Sequence, residues 1–441
     1  MIEIHKSVHD NFTVEFKIGY NVDSDSTVNT FSVKTWIFMP NSLAINRQTY
    51  PGELFYRDLK VNTRLITPTF LLGEIAEQDS IPINNLRETL MLLAGSANTY
   101  NKASYEYHIK MFLAIVRSSA RDTAHHINII RDHGDIMGLA NDYVRNIERI
   151  TSEYRKLRSI IFIPTISNEI LNIYAFGDEY MSNIIDHYTF KIITRHNDEE
   201  VRAPLIDLIK RERAYRIEKN YLILDKNSPT NNREYVFRMN VLKRFVDSDL
   251  FLEATKKQDA VIAQQVYYSI AAGISMIFAT AVAFSFQQRY GSFTMPVFMA
   301  LVVSYMLKDR IKDLMRYYFS NKQRTRYFDN KTAIAVGSTP LGWSRESFDF
   351  ISEEKIYKEV LSVRNRSPLV EAENKYNKEE IILYRKLVQL DKGVLDDLDS
   401  YPTVGMNEIV RFNLAHLMQK MDNPKAIFKT ITKENQIEEI A

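Results

Sequence analysis

The chain contains no cysteine and little glycine or proline. Among its 441 residues there are 13 glycines and 12 prolines. The lack of cysteine excludes disulfides, Cys-ligated zinc, iron–sulfur clusters and thiol nucleophiles. The scarcity of glycine and proline, together with an aromatic content of 12%, favours packed domains over disorder. A net charge of +2 provides no bulk attraction to nucleic acid, so we expect no nucleic-acid partner.

The sequence also lacks the common motifs of nucleotide-binding and hydrolytic enzymes. It contains no G-x-x-x-x-G-K-[ST], G-x-G-x-x-G, G-x-S-x-G or H-E-x-x-H pattern. The run Gly337–Gly342 is not followed by lysine and serine or threonine, so we interpret it as a turn. We therefore expect no cofactor, and the motifs give no indication of enzymatic activity.

Charge is missing from two stretches past the middle of the chain. Val266 to Phe286 is an uncharged apolar run, and Phe293 to Leu307 is a second, shorter one. A helix rises about 1.5 Å per residue, so about 20 apolar residues cross a hydrocarbon core of roughly 30 Å. The first run has this length, and the second reaches it only with residues 290–292. We predict a transmembrane helical hairpin over residues 259–307; the alternative is a buried helical hairpin in a soluble core.

Small side chains recur every four residues along the first apolar run. In lipid there is little hydrophobic drive between helices, so close approach across small residues supplies the contact. The partner of this face is the second helix or the same face of another subunit, which leaves a homo-oligomer open. The packing face consists of Ala271, Ser275, Ala279 and Ala283.

Basic residues are plentiful outside the two apolar runs, whereas the connecting loop contains only Arg289. The positive-inside rule then places both flanking parts in the cytoplasm. The opening residues MIEIHK lack an apolar segment, so we expect no secretory signal. We expect a multi-pass protein of the inner membrane, of bacterial type, with both termini cytoplasmic.

Residues 308–328 predict a basic amphipathic helix beside the membrane. Its apolar positions recur at spacings of three and four, and its other surface is mostly basic. Such helices lie at the interface against anionic lipid, so we expect a bilayer with anionic headgroups as a partner. The alternative is ordinary positive-inside flanking with no specific lipid. The interfacial basic residues are Lys308, Arg310, Lys312 and Arg316.

The remaining sequence predicts an α+β protein. Residues 1–70 show strand patterns that predict a small N-terminal antiparallel β unit, most clearly the alternation over Phe12–Val22. Residues 71–258 show helical periodicity and predict an α-helical bundle. The other predicted elements of these two regions are strands at Thr30–Met39 and Val61–Ile66 and helices at Tyr105–Arg131, Asp135–Leu157, Glu179–Thr194 and Pro204–Leu224.

Residues 329–441 predict a C-terminal α+β domain. Short strands are expected at Lys331–Val336 and Phe348–Ile351, and a longer one at Ile381–Leu390. Met406–Met421 follows a glycine and stops near an Asn-Pro pair, which predicts a helix.

A cluster of histidine and aspartate lies near the end of one predicted helix. Both residue types ligate divalent metals, and His126 lies within reach of Asp132 or His133 over two helical turns. The cluster lacks a paired Glu-x-x-His, and its Asp-His order differs from the His-Asp pair of metal-dependent phosphohydrolases. A solvated or helix-capping role is the alternative. We predict no metal site, and these three residues are the candidates if one exists.

Arginines on neighbouring predicted helices are candidates for binding an acidic ligand. Guanidinium groups bind phosphate and carboxylate well, and the candidates are Arg117, Arg121 and Arg131. Acidic residues are interleaved with them, which favours the alternative of a salt-bridged exposed face.

Three functions fit these features. The first is a membrane-anchored, cytoplasm-facing scaffold or regulator that binds an unknown protein partner and has no evident catalytic site. The second is a membrane-associated enzyme acting on a lipid or nucleotide at the cytoplasmic face. The third is an oligomeric membrane-permeabilising effector.

Overall fold

The chain forms two compact units in the computed structural model. Residues 1–63, 253–397 and 405–441 form the strand unit, and residues 64–252 and 398–404 form the helical unit. Residues 1–63 and 329–397, assigned from the sequence to two separate domains, therefore belong to one unit. The structure describes residues 1–23, 25–162, 166–259, 261–291, 294–324, 328–364, 369, 379–397, 401–421, 428–432 and 436–440.

The molecule is a mixed α+β protein, as the sequence predicts, and its strands form antiparallel sheets. A four-stranded sheet has the order β1-β2-β9-β4, a five-stranded sheet has the order β3-β8-β7-β6-β5, and β10 pairs with β11. The strands are β1 (Ile2–Asp10), β2 (Thr13–Asn21), β3 (Val28–Met39), β4 (Leu59–Leu65), β5 (Glu253–Gln258), β6 (Asn330–Val336), β7 (Thr339–Ile351), β8 (Glu380–Asp391), β9 (Gly405–Asn413), β10 (Phe428–Ile431) and β11 (Ile437–Ile440).

The N-terminal strands pair with strands from the far end of the chain. Phe16 of β2 lies opposite Val410 of β9, and Trp36 of β3 lies opposite Leu383 of β8. The predicted N-terminal β unit is antiparallel, but it is completed by strands about 350 residues later in the chain. Each of the two larger sheets thus contains strands from both ends of the sequence.

Aromatic side chains form the core between the two sheets. Phe55 stacks on Phe348 of β7 with ring centroids 4.5 Å apart, and it also contacts Tyr384 of β8 and Phe412 of β9. Because β7 and β8 belong to one sheet and β9 to the other, this cluster joins the two layers. Burial of such large rings is a major contribution to stability.

The first half of the segment predicted as a helix over residues 406–421 is a strand. β9 covers Gly405–Asn413, and only Ala415–Met418 is helical. Alternate positions of β9 are buried, but one of them is Glu408, which disguises the period of two. Glu408 is fully buried, accepts a hydrogen bond from Tyr20 and forms an ion pair with the buried Lys386 of β8. The charged residue on the apolar face therefore obscured the alternating pattern by which a strand is predicted.

The helices lie mostly in the helical unit, between β4 and β5 in sequence. They are α1 (Gly52–Asp58), α2 (Leu72–Ile75), α3 (Ile81–Gly95), α4 (Thr99–Ile129), α5 (His133–Lys156), α6 (Arg158–Ile161), α7 (Asn168–Arg195), α8 (Glu199–Glu218), α9 (Pro229–Asp247), α10 (Val261–Tyr290), α11 (Met295–Arg324), α12 (Lys358–Arg364), α13 (Lys392–Asp397) and α14 (Ala415–Met418).

Close packing joins α4, α5 and α7 at the centre of the helical unit. The ring of Tyr154 on α5 stacks between Phe112 of α4 and Tyr174 of α7, with centroid separations of 5.7 and 5.0 Å. Gly177 of α7 lies so close that an added Cβ would be 2.4 Å from the Tyr154 hydroxyl. The glycine is therefore required by the approach of the two helices.

Helices α10 and α11 pack against each other and belong to the strand unit. The chain leaves the sheet at Gln258 and returns at Asn330, and these two residues lie opposite each other in the β5–β6 pair. Among the described residues, only the segment Gln265–Tyr290 of α10 is long and apolar enough to cross a membrane. Residues 308–324, predicted as a separate basic helix, continue α11 without a break.

Candidate functional site in the helical unit

Helix α7 carries a row of polar side chains inside the helical unit. Asp178, Glu179, Ser182 and Asn183 are all at most 6% exposed, and Asp186 continues the row one turn later. The positions 178, 182 and 186 are four residues apart, so they share one helical face. Burying polar groups costs free energy unless they are hydrogen-bonded. We call these residues and their partners the α7 network.

Arg155 of α5 brings the first positive charge into the α7 network. Its guanidinium forms a bidentate ion pair with the carboxylate of Glu212 of α8, with N–O distances of 2.9 and 3.0 Å. Its Nε donates to a carboxylate oxygen of Asp178 at 3.2 Å. The same guanidinium lies 3.5 Å from the ring centroid of Tyr215. Asp178 also accepts hydrogen bonds from the hydroxyls of Tyr215 and Tyr221. One arginine thus connects α5, α7 and α8.

Arg216 of α8 brings a second positive charge. Its Nε donates to the Ser182 hydroxyl at 2.8 Å, and its Nη1 lies 2.8 Å from an Asp186 carboxylate oxygen. Ser182 in turn donates to Glu212 at 2.8 Å, which links both arginines. The Arg216 side chain is only 4% exposed, and its Nη2 has no hydrogen-bond partner among the described protein atoms.

Asp186 is the residue of the α7 network whose charge changes near neutral pH. Burial raises its pKa to about 6, although Arg216 acts in the opposite direction. Its other carboxylate oxygen, Oδ1, has no hydrogen-bond partner among the described protein atoms. Desolvation therefore outweighs the attraction of the neighbouring guanidinium.

Helix α9 is held to α7 by a third arginine and a tyrosine. Arg238 donates to both carboxylate oxygens of Glu179, at 2.7 to 2.9 Å, and the Tyr235 hydroxyl donates to Asn183 at 3.1 Å. Bidentate pairs of this kind fix both distance and orientation. The α7 network therefore positions α5, α8 and α9 around α7.

The three candidate ligand arginines have different environments. Arg117 is largely buried, donates to the Tyr180 hydroxyl at 2.8 Å and pairs with Asp247 at 2.5 Å. Arg121 is exposed and pairs with its sequence neighbour Asp122 at 2.8 Å, and Arg131 is exposed at the turn between α4 and α5. The Arg117 guanidinium is engaged within the protein, and the three do not share one environment.

The candidate metal ligands serve other roles in the structure. His126 is exposed on α4, and the Asp132 carboxylate caps α5 by accepting from the backbone N–H of Asp135. His133 pairs with Asp198, and this hydrogen bond raises the pKa of His133 above its ordinary value. Among the described residues, no group of three or more His, Asp or Glu side chains is placed to hold a metal ion.

The residues of the predicted membrane segment lie on α10 and α11. Ala271, Ser275 and Ala279 are buried on α10, which packs against α11, and Ala283 is half-buried. The interfacial residues Lys308, Lys312 and Arg316 are half-buried on α11, and Arg310 is exposed.

The α7 network connects the helices around α7, and the raised pKa of Asp186 makes its charge depend on pH. Its carboxylates, hydroxyls and guanidinium groups mostly hydrogen-bond to one another, and the Ser182 hydroxyl is fully buried between Glu212 and Arg216. Burial also raises the pKa of Tyr215 and Tyr221, beside Asp178, so these hydroxyls stay protonated. The arrangement holds four helices in place.

The candidate residues drawn from the sequence did not include the α7 network. The signal was present in the run DEYMSNIID, where polar residues recur at positions 178, 182 and 186 of an otherwise apolar helix. A polar row at helical spacing inside an apolar helix indicates buried partners.

Comparison with protein-family models, with curated proteins and with solved structures found no match to this chain.

Proposed function

We propose that the protein is a membrane-anchored scaffold or regulator, held by α10 and α11, whose helical unit binds a protein partner. The observation that carries this proposal is the exposure of the apolar surface of α10. Only 11% of the most apolar part of Gln265–Tyr290 is buried, and Ile277 and Phe284 are more than 60% exposed. A core helix of a soluble protein has its apolar side chains covered. A lipid bilayer would cover them here.

The topology of the strand unit supports two crossings. Because β5 and β6 hydrogen-bond to each other, Gln258 and Asn330 lie on the same side of any membrane. If α10 crosses, the chain has to return before Asn330, and α11 is the segment available. The basic residues on both flanks favour the cytoplasmic side of an inner membrane for both termini.

The absence of a recognisable motif and the internal pairing of Arg117 favour a binding role over catalysis. An enzyme acting on a lipid or nucleotide would need a free cationic group for its acidic substrate, and Arg117 was one of the candidates. Arg117 is bound to Asp247 and Tyr180 instead. In contrast, the α7 network fixes four helices relative to one another, which suits a preformed surface for a partner.

Membrane extraction tests the proposal. The wild-type protein is expected to remain with the membrane after an alkaline carbonate wash and to enter solution only with detergent. Placing two lysines in the exposed face of α10, as Ile274→Lys/Ile277→Lys, costs about 3 kcal/mol per residue on insertion scales and is expected to release the protein. The control is Ile217→Lys, the same change at an exposed isoleucine of α8.

The topology has its own test. Tags placed at the two termini are both expected to be accessible from the cytoplasmic side and protected from the other. A wild-type protein that stays in solution without detergent would refute the anchor, and termini on opposite sides would refute the return through α11.

A further inference from the structure

We propose that two or more copies of this chain associate in the membrane through a stripe of mixed charge on α11. The inference rests on the proposed anchoring of α10 and α11 and names a partner for that anchor: a second copy of the same chain. We call the residues concerned the α11 stripe: Lys308, Asp309, Lys312, Asp313 and Arg316.

The pairing of the two helices sets the depth of the α11 stripe. The guanidinium of Arg316 lies 5.2 Å from the ring centroid of Tyr268, so these residues stand at the same level. At the other end, α10 stops at Tyr290 and α11 starts at Met295. With a rise of about 1.5 Å per residue, Lys308 lies about 12 Å deeper than Arg316. Lys308 is then level with the centre of the apolar run of α10.

The α11 stripe lies beside the surface that packs on α10. Val297 and Ser304 of α11 are buried, which marks the side facing α10. A helix turns by about 100° per residue, so the five stripe residues fall within an arc of about 140° next to that side. Asp309 and Asp313 are exposed there. The two aspartates therefore point away from α10, whereas the three basic residues of the stripe, which are half-buried, lie closer to it.

Charges at this depth need a polar partner. A charged side chain inside the hydrocarbon core is costly, and such residues normally face other polar groups or water. Within the chain, Lys312 pairs with Asp309 at 3.2 Å, and the ammonium of Lys308 lies over the Tyr305 ring. Asp313 has no ion-pair partner among the described residues. One copy thus leaves part of the stripe unsatisfied.

A second copy supplies the complementary charges. Copies inserted in one membrane share the same orientation, so residues at the same level face each other. The basic residues lie on one side of the α11 stripe and the aspartates on the other. A two-fold axis parallel to the helices therefore places the aspartates of one copy beside the lysines and the arginine of the other. Lipid headgroups cannot provide this pairing, because they lie at the membrane surface rather than level with Lys308.

Cysteine cross-linking of the full chain in membranes tests the association, because the natural sequence contains no cysteine. Tyr305→Cys places a thiol about one turn deeper than Lys308 on the face of the stripe, and Leu307→Cys places one on the opposite face at nearly the same depth. Both positions are exposed. With a short bifunctional maleimide, Tyr305→Cys is expected to give dimers, and Leu307→Cys is not. Equal or absent cross-linking at the two positions would overturn the proposal.

Charge reversal distinguishes the stripe from a general tendency to associate. In the Tyr305→Cys background, Lys308→Glu/Lys312→Glu makes the stripe mostly acidic, and Asp309→Lys/Asp313→Lys makes it entirely basic. Each variant alone is expected to cross-link about tenfold less, equivalent to about 1.4 kcal/mol. Co-expression of the two variants is expected to restore cross-linking between them. Failure of this restoration would overturn the role of the stripe.

The outcomes separate this inference from the proposed function. A protein that resists carbonate extraction but shows no preference for the Tyr305→Cys position is anchored and does not associate through the stripe. A protein that is released by carbonate refutes the anchor itself. Cross-links to another membrane protein in place of a second copy would also overturn the inference.

Discussion

Replacing Asp186 with asparagine is expected to make the stability of the protein less dependent on pH. Burial raises the pKa of Asp186 to about 6 in the folded protein, against an ordinary value of 3.8. The folded state therefore binds this proton more tightly than the unfolded state does. Stability from this residue is present at low pH and is lost as the pH rises through the range between the two pKa values. Asparagine cannot ionise, and it keeps an oxygen that accepts from Arg216.

The magnitude follows from the two pKa values. Between about pH 5 and about pH 7.5, ionisation of Asp186 lowers the free energy of unfolding by about 1.4 kcal/mol. The full separation of the two values corresponds to about 3 kcal/mol. Burial is the largest cause of the raised pKa of Asp186; Glu212 also raises this pKa, whereas Arg216 and Arg213 lower it. The effect is large enough to measure against a typical total stability of a few to about 15 kcal/mol.

Urea unfolding of the full chain in mild detergent, followed by far-ultraviolet circular dichroism, measures this effect. The decrease in the free energy of unfolding from about pH 5 to about pH 7.5 is expected to be about 1.4 kcal/mol smaller in Asp186→Asn than in the wild type. Asp207→Asn is the control, because Asp207 is an exposed carboxylate on α8 and its side chain is 65% exposed. Parallel pH profiles of Asp186→Asn and the wild type would refute the reasoning, even if the variant were less stable at every pH.

Three further experiments test the interior of the two units. Arg155→Ala leaves the buried Glu212 without its bidentate partner and is expected to lower the free energy of unfolding by about 3–5 kcal/mol, measured by the same urea titration. Lys386→Met isolates the buried Glu408 at a similar cost, and adding Glu408→Leu is expected to recover most of the loss in tryptophan-monitored unfolding. Gly177→Ala forces apart two packed helices and is expected to lower the thermal unfolding midpoint, with a cost of about 1–3 kcal/mol.

Local patterns in the sequence predicted many of the elements but not their partners. The predicted strands at Thr30–Met39 and Ile381–Leu390 correspond closely to β3 and β8, because a preference for strand is a property of each segment alone. That these two strands pair, more than 300 residues apart, is decided by packing between faces. The alternation of one segment contains no information on which other segment it joins. The grouping of the two chain ends into one unit was therefore not predictable from composition or periodicity.

The α7 network was also not predicted, because its residues come from segments that are far apart in the sequence. Its arginines come from three other helices, at positions 155, 216 and 238, and each looks like a surface residue in its own segment. Interleaved acidic residues near such arginines favoured an exposed, salt-bridged face. The structure shows the opposite for Arg216, which is 3% exposed. Only the polar row on α7 indicated the network in the sequence, because polar side chains buried in an apolar helix need hydrogen-bonding partners.

Charge inside apolar surroundings explains the misassigned strand as well as the missed network. Glu408 broke the apolar pattern of β9, and the remaining residues then matched a helix better than a strand. Its partner Lys386 lies in the other sheet, so the ion pair is visible only after the two layers meet. Replacing a buried ion pair by apolar residues is often neutral or stabilising, whereas removing one partner is costly. The Lys386–Glu408 pair is therefore weak evidence for added stability, although the loss of either partner is costly. The proposed association through the α11 stripe rests on the same reasoning: mixed charge beside an apolar helix favours the surface that supplies the complementary charges.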